Sequence, residues 1–285
     1  MNRLILLLAI LVGPLLPSLH ARAAGLNDTG QDTCFDGSNL VFCTEANTGD
    51  NAPYPRQDGR YGRDTQAKAG QLPKTGGGEA GFDFTALDAN GNPTTPTSGA
   101  NPHPCVRDNV TGLVWEVKTS DGGLRDQQWS YTWYDSNPAT NGGANGTANG
   151  GTCKTAGRCD TEKYAVDINA TGLCGFRDWR VPNREELHSI THAGRVAPSI
   201  DPAYFPNTPS TWFWTSSSGA YDSGDAWYVD FNDGGRLPGT AGSPSAMSSN
   251  ANDSSNAWNV NFNNGNVNNN ARGVAGAVRL ARGGK

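Results

Sequence analysis

The sequence predicts a loop-rich α+β fold, with two short helices set against antiparallel strands and an irregular stretch ahead of them. Three observations carry this expectation. Charged residues make up only 17% of the chain, and 37 glycines and 17 prolines run through it, a composition that favours turns and short elements over long helices. Two segments, 160–172 and 183–191, carry helix-capping residues. Several others alternate apolar and polar residues with the period of a half-buried strand.

The first segment reads as an export signal. Asn2 and Arg3 precede an apolar run from Leu4 to Leu19 that is broken by Pro14 and Pro17, and Ala21-Arg22-Ala23 then supplies a small-x-small cleavage pattern,. A spanning helix needs roughly 20 unbroken apolar residues, so 1–23 is expected to be a signal peptide and not an anchor. No cysteine stands at the cleavage point to take a lipid. Loss of 1–23 removes two arginines and no acids, which takes the net charge from −5 to −7. An acidic chain of this kind is a poor partner for nucleic acid and for anionic membranes, both of which reward clustered Lys and Arg. The expected location is beyond the inner membrane, in the periplasm, at the cell surface or outside the cell. There an even set of six cysteines implies three disulfides. Proximity suggests Cys34–Cys43 and Cys153–Cys159 and leaves Cys105–Cys174 to close a long loop; spacing alone leaves other connectivities open.

Residues 24–104 are rich in Gly, Asn, Asp, Thr and Pro, and only Leu40 to Phe42 and the Phe82/Phe84 alternation look like strands. From Cys105 the texture changes, and 105–285 reads as the folded domain. Leu113, Val114, Trp115 and Val117 make a strand after a turn at Asp108-Asn109. Trp129, Tyr131 and Trp133 alternate in the next apolar stretch. Asp160 or Thr161 caps a helix that presents Tyr164 and Ile168 on one face and stops at Gly172. Asn183 caps a second helix, with Glu186 placed for a capping box and Leu187 and Ile190 facing inward. TWFWTSS, at 211–217, is a further strand, and Val278-Arg279-Leu280 a closing one.

Between these last two lies an internal repeat. SSSGAYDSGDAWYVDFNDG (216–234) recurs as MSSNANDSSNAWNVNFNNG (247–265), in ungapped register 31 residues later. Trp227, Val229 and Phe231 alternate with Tyr228, Asp230 and Asn232, as Trp258, Val260 and Phe262 do with Asn259, Asn261 and Asn263. Each unit ends in Asn-Asp-Gly or Asn-Asn-Gly, the residues of a hairpin turn. With the aromatic and Val positions buried, the opposite face offers Tyr228, Asp230, Asn232, Asn259, Asn261 and Asn263. These are the candidate ligand residues, because uncharged amides both donate and accept hydrogen bonds; solvated strand residues are the plain alternative.

DNVTGLVWE (108–116), GFRDWRVPNREEL (175–187), AWYVDFNDG (226–234) and the terminal VRLARGG (278–284) together resemble the Lcl C-terminal domain family, named for the terminal domain of a bacterial collagen-like adhesin. The resemblance runs from about Cys105 to Gly284. It implies a C-type-lectin-like fold and an exported binding module, such as an adhesin or a carbohydrate-recognising surface protein, with a glycan or a surface protein as partner. A structural envelope component without a small ligand is the second reading. A diversified receptor-binding protein is a third, prompted by 11 asparagines within 250–270. The chain has no collagenous tract, and it carries an extra copy of the terminal hairpin unit.

No catalytic residue, cofactor or metal site is expected. The nucleophile-elbow, P-loop and dinucleotide fingerprints are absent,. The nearest enzymatic class with a related fold, the formylglycine-generating enzymes, uses late cysteines, and none follows Cys174. His188 and His192, four apart with Glu185 nearby, are read as a solvated helix face. Phe231-Asn232-Asp233 resembles a lectin calcium motif but lacks its partner motif, and calcium takes 6–8 oxygens.

Overall fold

The computed structural model describes residues 27–218, 256–261 and 266–284. Residues 1–23 and the repeat strand at 226–234 lie outside them. In chain order the elements are β1 (Cys34–Phe35), β2 (Leu40–Val41), α1 (Glu45–Thr48), α2 (Arg63–Lys68), β3 (Phe84–Leu87), β4 (Cys105–Asp108), β5 (Leu113–Glu116), α3 (Thr161–Thr171), α4 (Arg184–His188), β6 (Trp212–Ser218), β7 (Asn256–Asn261), β8 (Asn266–Ala271) and β9 (Ala281–Gly283). They form three antiparallel sheets: β1-β2, β3-β4-β5-β9 and β6-β7-β8. This is the mixed, loop-rich α and β architecture that composition and capping predict.

The central sheet begins before Cys105. β3 pairs residue for residue with β4, with Phe84 opposite Asp108 and Leu87 opposite Cys105. The stretch 24–104 also holds the two short helices α1 and α2, which its composition does not announce. The β4–β5 turn is closed by Asp108, whose carboxylate accepts the amides of Val110 at 2.9 Å and Thr111 at 3.3 Å and the Thr111 hydroxyl at 2.6 Å. Gly112 follows at φ +78°, a left-handed position that glycine adopts without strain.

β5 is buried along its whole length, so it separates two apolar clusters. Leu113 and Trp115 pack with Phe82, Phe84, Leu187 and Phe213 on one side. Val114 packs with Tyr131, Trp133, Tyr164, Ile168 and Trp214 on the other. Each large apolar side chain so buried contributes about 1.5–3 kcal/mol. A strand covered on both faces shows no alternation, which is why 113–115 reads as a continuous apolar run,.

The helices follow their caps. Asp160 accepts the Lys163 amide at 2.9 Å at the start of α3, and Gly172 ends it in the left-handed region at φ 67°. Asn183 and Glu186 make the reciprocal capping box of α4. That helix is shorter than the sequence suggests. It ends at His188, where the hydroxyls of Ser189 and Thr191 donate to the carbonyls of Glu186 and His188 at 2.7 and 2.8 Å; serine and threonine that satisfy the backbone locally compete with continued helix.

Two strand expectations shift. Tyr131, Thr132 and Tyr134 make isolated bridges to Gly276, Asp160 and Gly146 in place of one ladder, since their neighbours belong to three different segments. The closing strand starts at Ala281, opposite Trp115, while Val278 and Leu280 bury in the second cluster. The disulfides are Cys34–Cys43, Cys105–Cys174 and Cys153–Cys159, the pairs that proximity suggests. Among the described residues no helix is long and apolar enough to cross a membrane.

Candidate binding surface

The residues that most mark the sequence are used up in the scaffold. Glu116 is fully buried, and its carboxylate accepts Lys118 Nζ at 2.9 Å, the Leu280 amide at 2.9 Å and the Tyr164 hydroxyl. Arg279 donates to the Glu116 carbonyl at 3.1 Å and to Thr208 Oγ1 at 2.6 Å. Its guanidinium lies 5.0 Å from the Phe205 ring centre. Burial pulls the Lys118 ammonium down to about 8 against the attraction of Glu116, and pulls Arg279 down to about 10; it raises the Tyr164 phenol, with the Glu116 charge acting in the same direction. This cluster ties β5, α3 and the C-terminal segment together.

GFRDWRVPNREEL serves the same end. Arg180 forms two 2.7 Å bonds to Glu186 and exchanges both backbone bonds with Ala281 at 2.9 Å. Asp178 accepts Arg282 at 2.7 and 3.1 Å. Trp179 is buried, held by a pair of 2.8 Å bonds between its backbone and the Asn169 amide. The motif is a clamp that fixes β9 against α4 and α3.

The candidate ligand residues that fall among the described ones lie on the β6-β7-β8 sheet. α4 packs across it, and Leu187 shares a cluster with Phe213. Register sets Phe213 opposite Val260, and Val260 opposite Val267, so these positions share the face towards α4. Trp212 and Trp214 are paired with Asn261 and Asn259, which are paired in turn with Asn266 and Asn268. Directly paired positions of an antiparallel ladder lie on one face, so the second face carries two cross-strand asparagine pairs next to two tryptophans.

At β6 that second face is closed. Trp214 Nε1 donates to the Tyr131 carbonyl and Trp133 Nε1 to the Thr215 carbonyl, both at 2.8 Å. Trp212 is half-buried, with its ring edge-on to Trp214 at 4.8 Å. The far end of β6 meets the asparagine-rich loop 135–151. Buried Arg272 holds this loop by donating to the carbonyls of Asn141, at 2.9 Å, and Ala144, and it stacks 4.0 Å from the Trp133 ring centre. Gly142 sits where a Cβ would come within 2.5 Å of Ser218, so only glycine lets the loop approach the strand this closely.

Of the six candidate ligand residues, Asn259 and Asn261 hold the register positions just given. Tyr228, Asp230, Asn232 and Asn263 lie outside the described residues, as does Phe231-Asn232-Asp233. The histidine pair does not form one helix face. His188 ends α4 and is exposed, whereas His192 is buried in the following turn, 5.4 Å from Phe82. The turn at 189–192 separates them, which corrects the solvated-face reading for His192.

A family model described as the Lcl C-terminal domain matches residues 104–247, half of the chain. The chain belongs to the Lcl C-terminal domain family. No curated protein and no solved structure matches it. The matched stretch of the Lcl C-terminal domain begins beside Cys105 and ends at Met247, where the second repeat copy starts. The Asn259/Asn268 and Asn261/Asn266 pairs therefore stand on a unit beyond the match. Sequence reasoning found two of these four positions by alternation; Asn266 and Asn268 emerge only from strand pairing.

Proposed function

We propose that the protein is an exported, non-enzymatic binding module of C-type-lectin-like fold, freed of residues 1–23, that takes a hydroxyl-rich glycan on the β7–β8 part of the face turned away from α4. The observation that carries this reading is the register that places Asn259, Asn261, Asn266 and Asn268 together on that face. Amides present donors and acceptors without net charge, which matches the hydroxyls of a neutral sugar. Two further features support it: the three disulfides fit an oxidising compartment,, and the family signature residues are engaged in the scaffold, so the site can change while the fold holds.

The test is a glycan array probed with the purified protein, then with Asn259, Asn261, Asn266 and Asn268 changed together to Ala. The expected result is selective glycan binding that the variant loses while its stability changes by no more than about 0.5 kcal/mol per site, as for surface positions. Binding that survives the substitutions moves the site elsewhere. Failure to bind any glycan, with selective capture of a surface protein instead, overturns the ligand class.

A further inference from the structure

Outside the sheet that carries the asparagines, three aspartates from separate segments converge. Asp28 lies in the extended segment before β1, Asp58 opens the single turn Asp58–Arg60, and Asp64 is the second residue of α2. One carboxylate oxygen from each lies within 4.8 Å of the other two. Asp64 is 1% exposed, and while its Oδ1 accepts the Gly81 amide at 2.5 Å, its Oδ2 is buried without a hydrogen-bond partner. The Gly30 amide lies near enough to lower this carboxyl slightly, short of the geometry of a hydrogen bond. Asp28 Oδ2 accepts the Asp64 amide at 2.6 Å, and Asp58 Oδ2 accepts the Thr29 hydroxyl. No salt bridge among the described residues reaches any of the three.

A buried acceptor left bare in the company of two more carboxylates costs free energy unless a cation satisfies it. Two glycines keep the corner open. A Cβ at Gly81 would lie 2.8 Å from Asp64 Oδ1 and 2.9 Å from Asp28 Cβ, and one at Gly62 3.0 Å from Asp28 Oδ2.

We propose that Asp28, Asp58 and Asp64 form a binding site for a calcium ion. Oxygens bound at 2.3–2.6 Å to one calcium stand up to about 5 Å apart, whereas magnesium at about 2.0–2.1 Å demands a tighter set. An all-oxygen donor set also disfavours zinc, which takes nitrogen and sulfur. Asp64 lines a cleft that it shares with Asp32, Glu79 and His192, and this cleft gives the ion and its remaining water ligands a route in. The bound ion braces the segment before β1 against α2 and the Gly81 turn that leads into β3. The site stands before the family match at 104–247 and departs from the expectation, drawn from the sequence, that no metal is bound.

The experiment uses the full chain stripped with chelator and titrated with calcium chloride, by calorimetry and by thermal melting. Three carboxylates without further charged ligands predict a dissociation constant of about 10⁻⁴–10⁻³ M, the range of extracellular modules. The melting point rises with calcium and responds less to magnesium. Asp58→Asn, a conservative change at an exposed residue, weakens calcium binding at least about tenfold, or 1.4 kcal/mol, and removes the melting shift. Asp64→Asn also abolishes the response. Should Asp28→Asn fail to fold, because Asp28 also holds the Asp64 amide, Asp58→Asn decides alone. Absence of calcium heat and of a melting shift in the unmodified chain at about ten times the upper expected constant, or unchanged binding in Asp58→Asn, overturns the proposal. Glycan binding is read in separate assays, so either proposal can fail without the other.

Discussion

The scaffold around Glu116 and the acidic corner at Asp64 both take ionisable side chains out of water, yet they balance charge in opposite ways. Around Glu116 the carboxylate faces Lys118, a tyrosine hydroxyl and a backbone amide, and Arg279 lies against the same strand. Each desolvated charge there has a partner of opposite sign or a hydrogen bond. Around Asp64 the neighbouring charges are Asp28 and Asp58, which have the same sign. Desolvation and these two carboxylates raise the Asp64 carboxyl to about 6, and the Gly81 amide opposes them only in part. A paired buried network specifies a fold, whereas an unpaired one asks for something from outside it.

The largest effect is expected from breaking the balanced side. Glu116→Gln leaves Lys118 and Arg279 buried without their carboxylate, and removal of one partner of a buried pair costs about 3–5 kcal/mol. Denaturant unfolding measures this directly; a loss under about 1 kcal/mol would show that water reaches the cluster, as it does at surface pairs.

On the unbalanced side the sign reverses. In calcium-free buffer Asp64→Asn is expected to stabilise the chain, because it removes a buried charge that no salt bridge among the described residues neutralises. The pH dependence follows from the raised value. Between 3.8, the ordinary value, and about 6 the folded state keeps a proton that the unfolded chain has released, so this group's contribution is fully present below that window and is lost as pH rises through it. The advantage of Asp64→Asn over the unmodified chain therefore grows across the window and levels off above it. The groups that set this behaviour are Asp28, Asp58 and the Gly81 and Gly30 amides, with Lys74, itself lowered by burial, interacting with Asp64 as the opposite charge. Equal stability of the two chains across the window would mean that Asp64 is solvated.

The smallest effect sharpens the same contrast at the surface. Arg282 and Asp178 form a two-bond ion pair, but Asp178 is well exposed. Asp178→Asn should change stability by about 0–1 kcal/mol and less in high salt. A larger loss would make the pair a principal tie of the clamp on β9, in place of a solvated contact that adds little to it.

Local chemistry made much of the fold legible. Asp160 with Gly172, and Asn183 with Glu186, announce α3 and α4 because caps act within a turn of the residue that makes them. Cys34 and Cys43, like Cys153 and Cys159, pair across short separations, which leaves Cys105 for Cys174, 69 residues away. The alternation of 256–261 gave the faces of β7 because side chains on a strand alternate regardless of context.

Other features depended on the approach of distant segments. The sequence by itself determined the capped starts of α3 and α4, the even set of six cysteines, the acidic balance and the asparagine alternation, all of which follow from composition and short-range geometry. Only the tertiary structure decided that β3 joins β4, that Asn259 and Asn261 share a face with Trp214 and Trp212, and that His192 leaves the helix of His188 for the core. It alone decided that Asp28, Asp58 and Asp64 meet. These aspartates come from an extended segment, a single turn and the start of α2, with no common period, and their convergence is fixed by long-range packing, which no local pattern encodes.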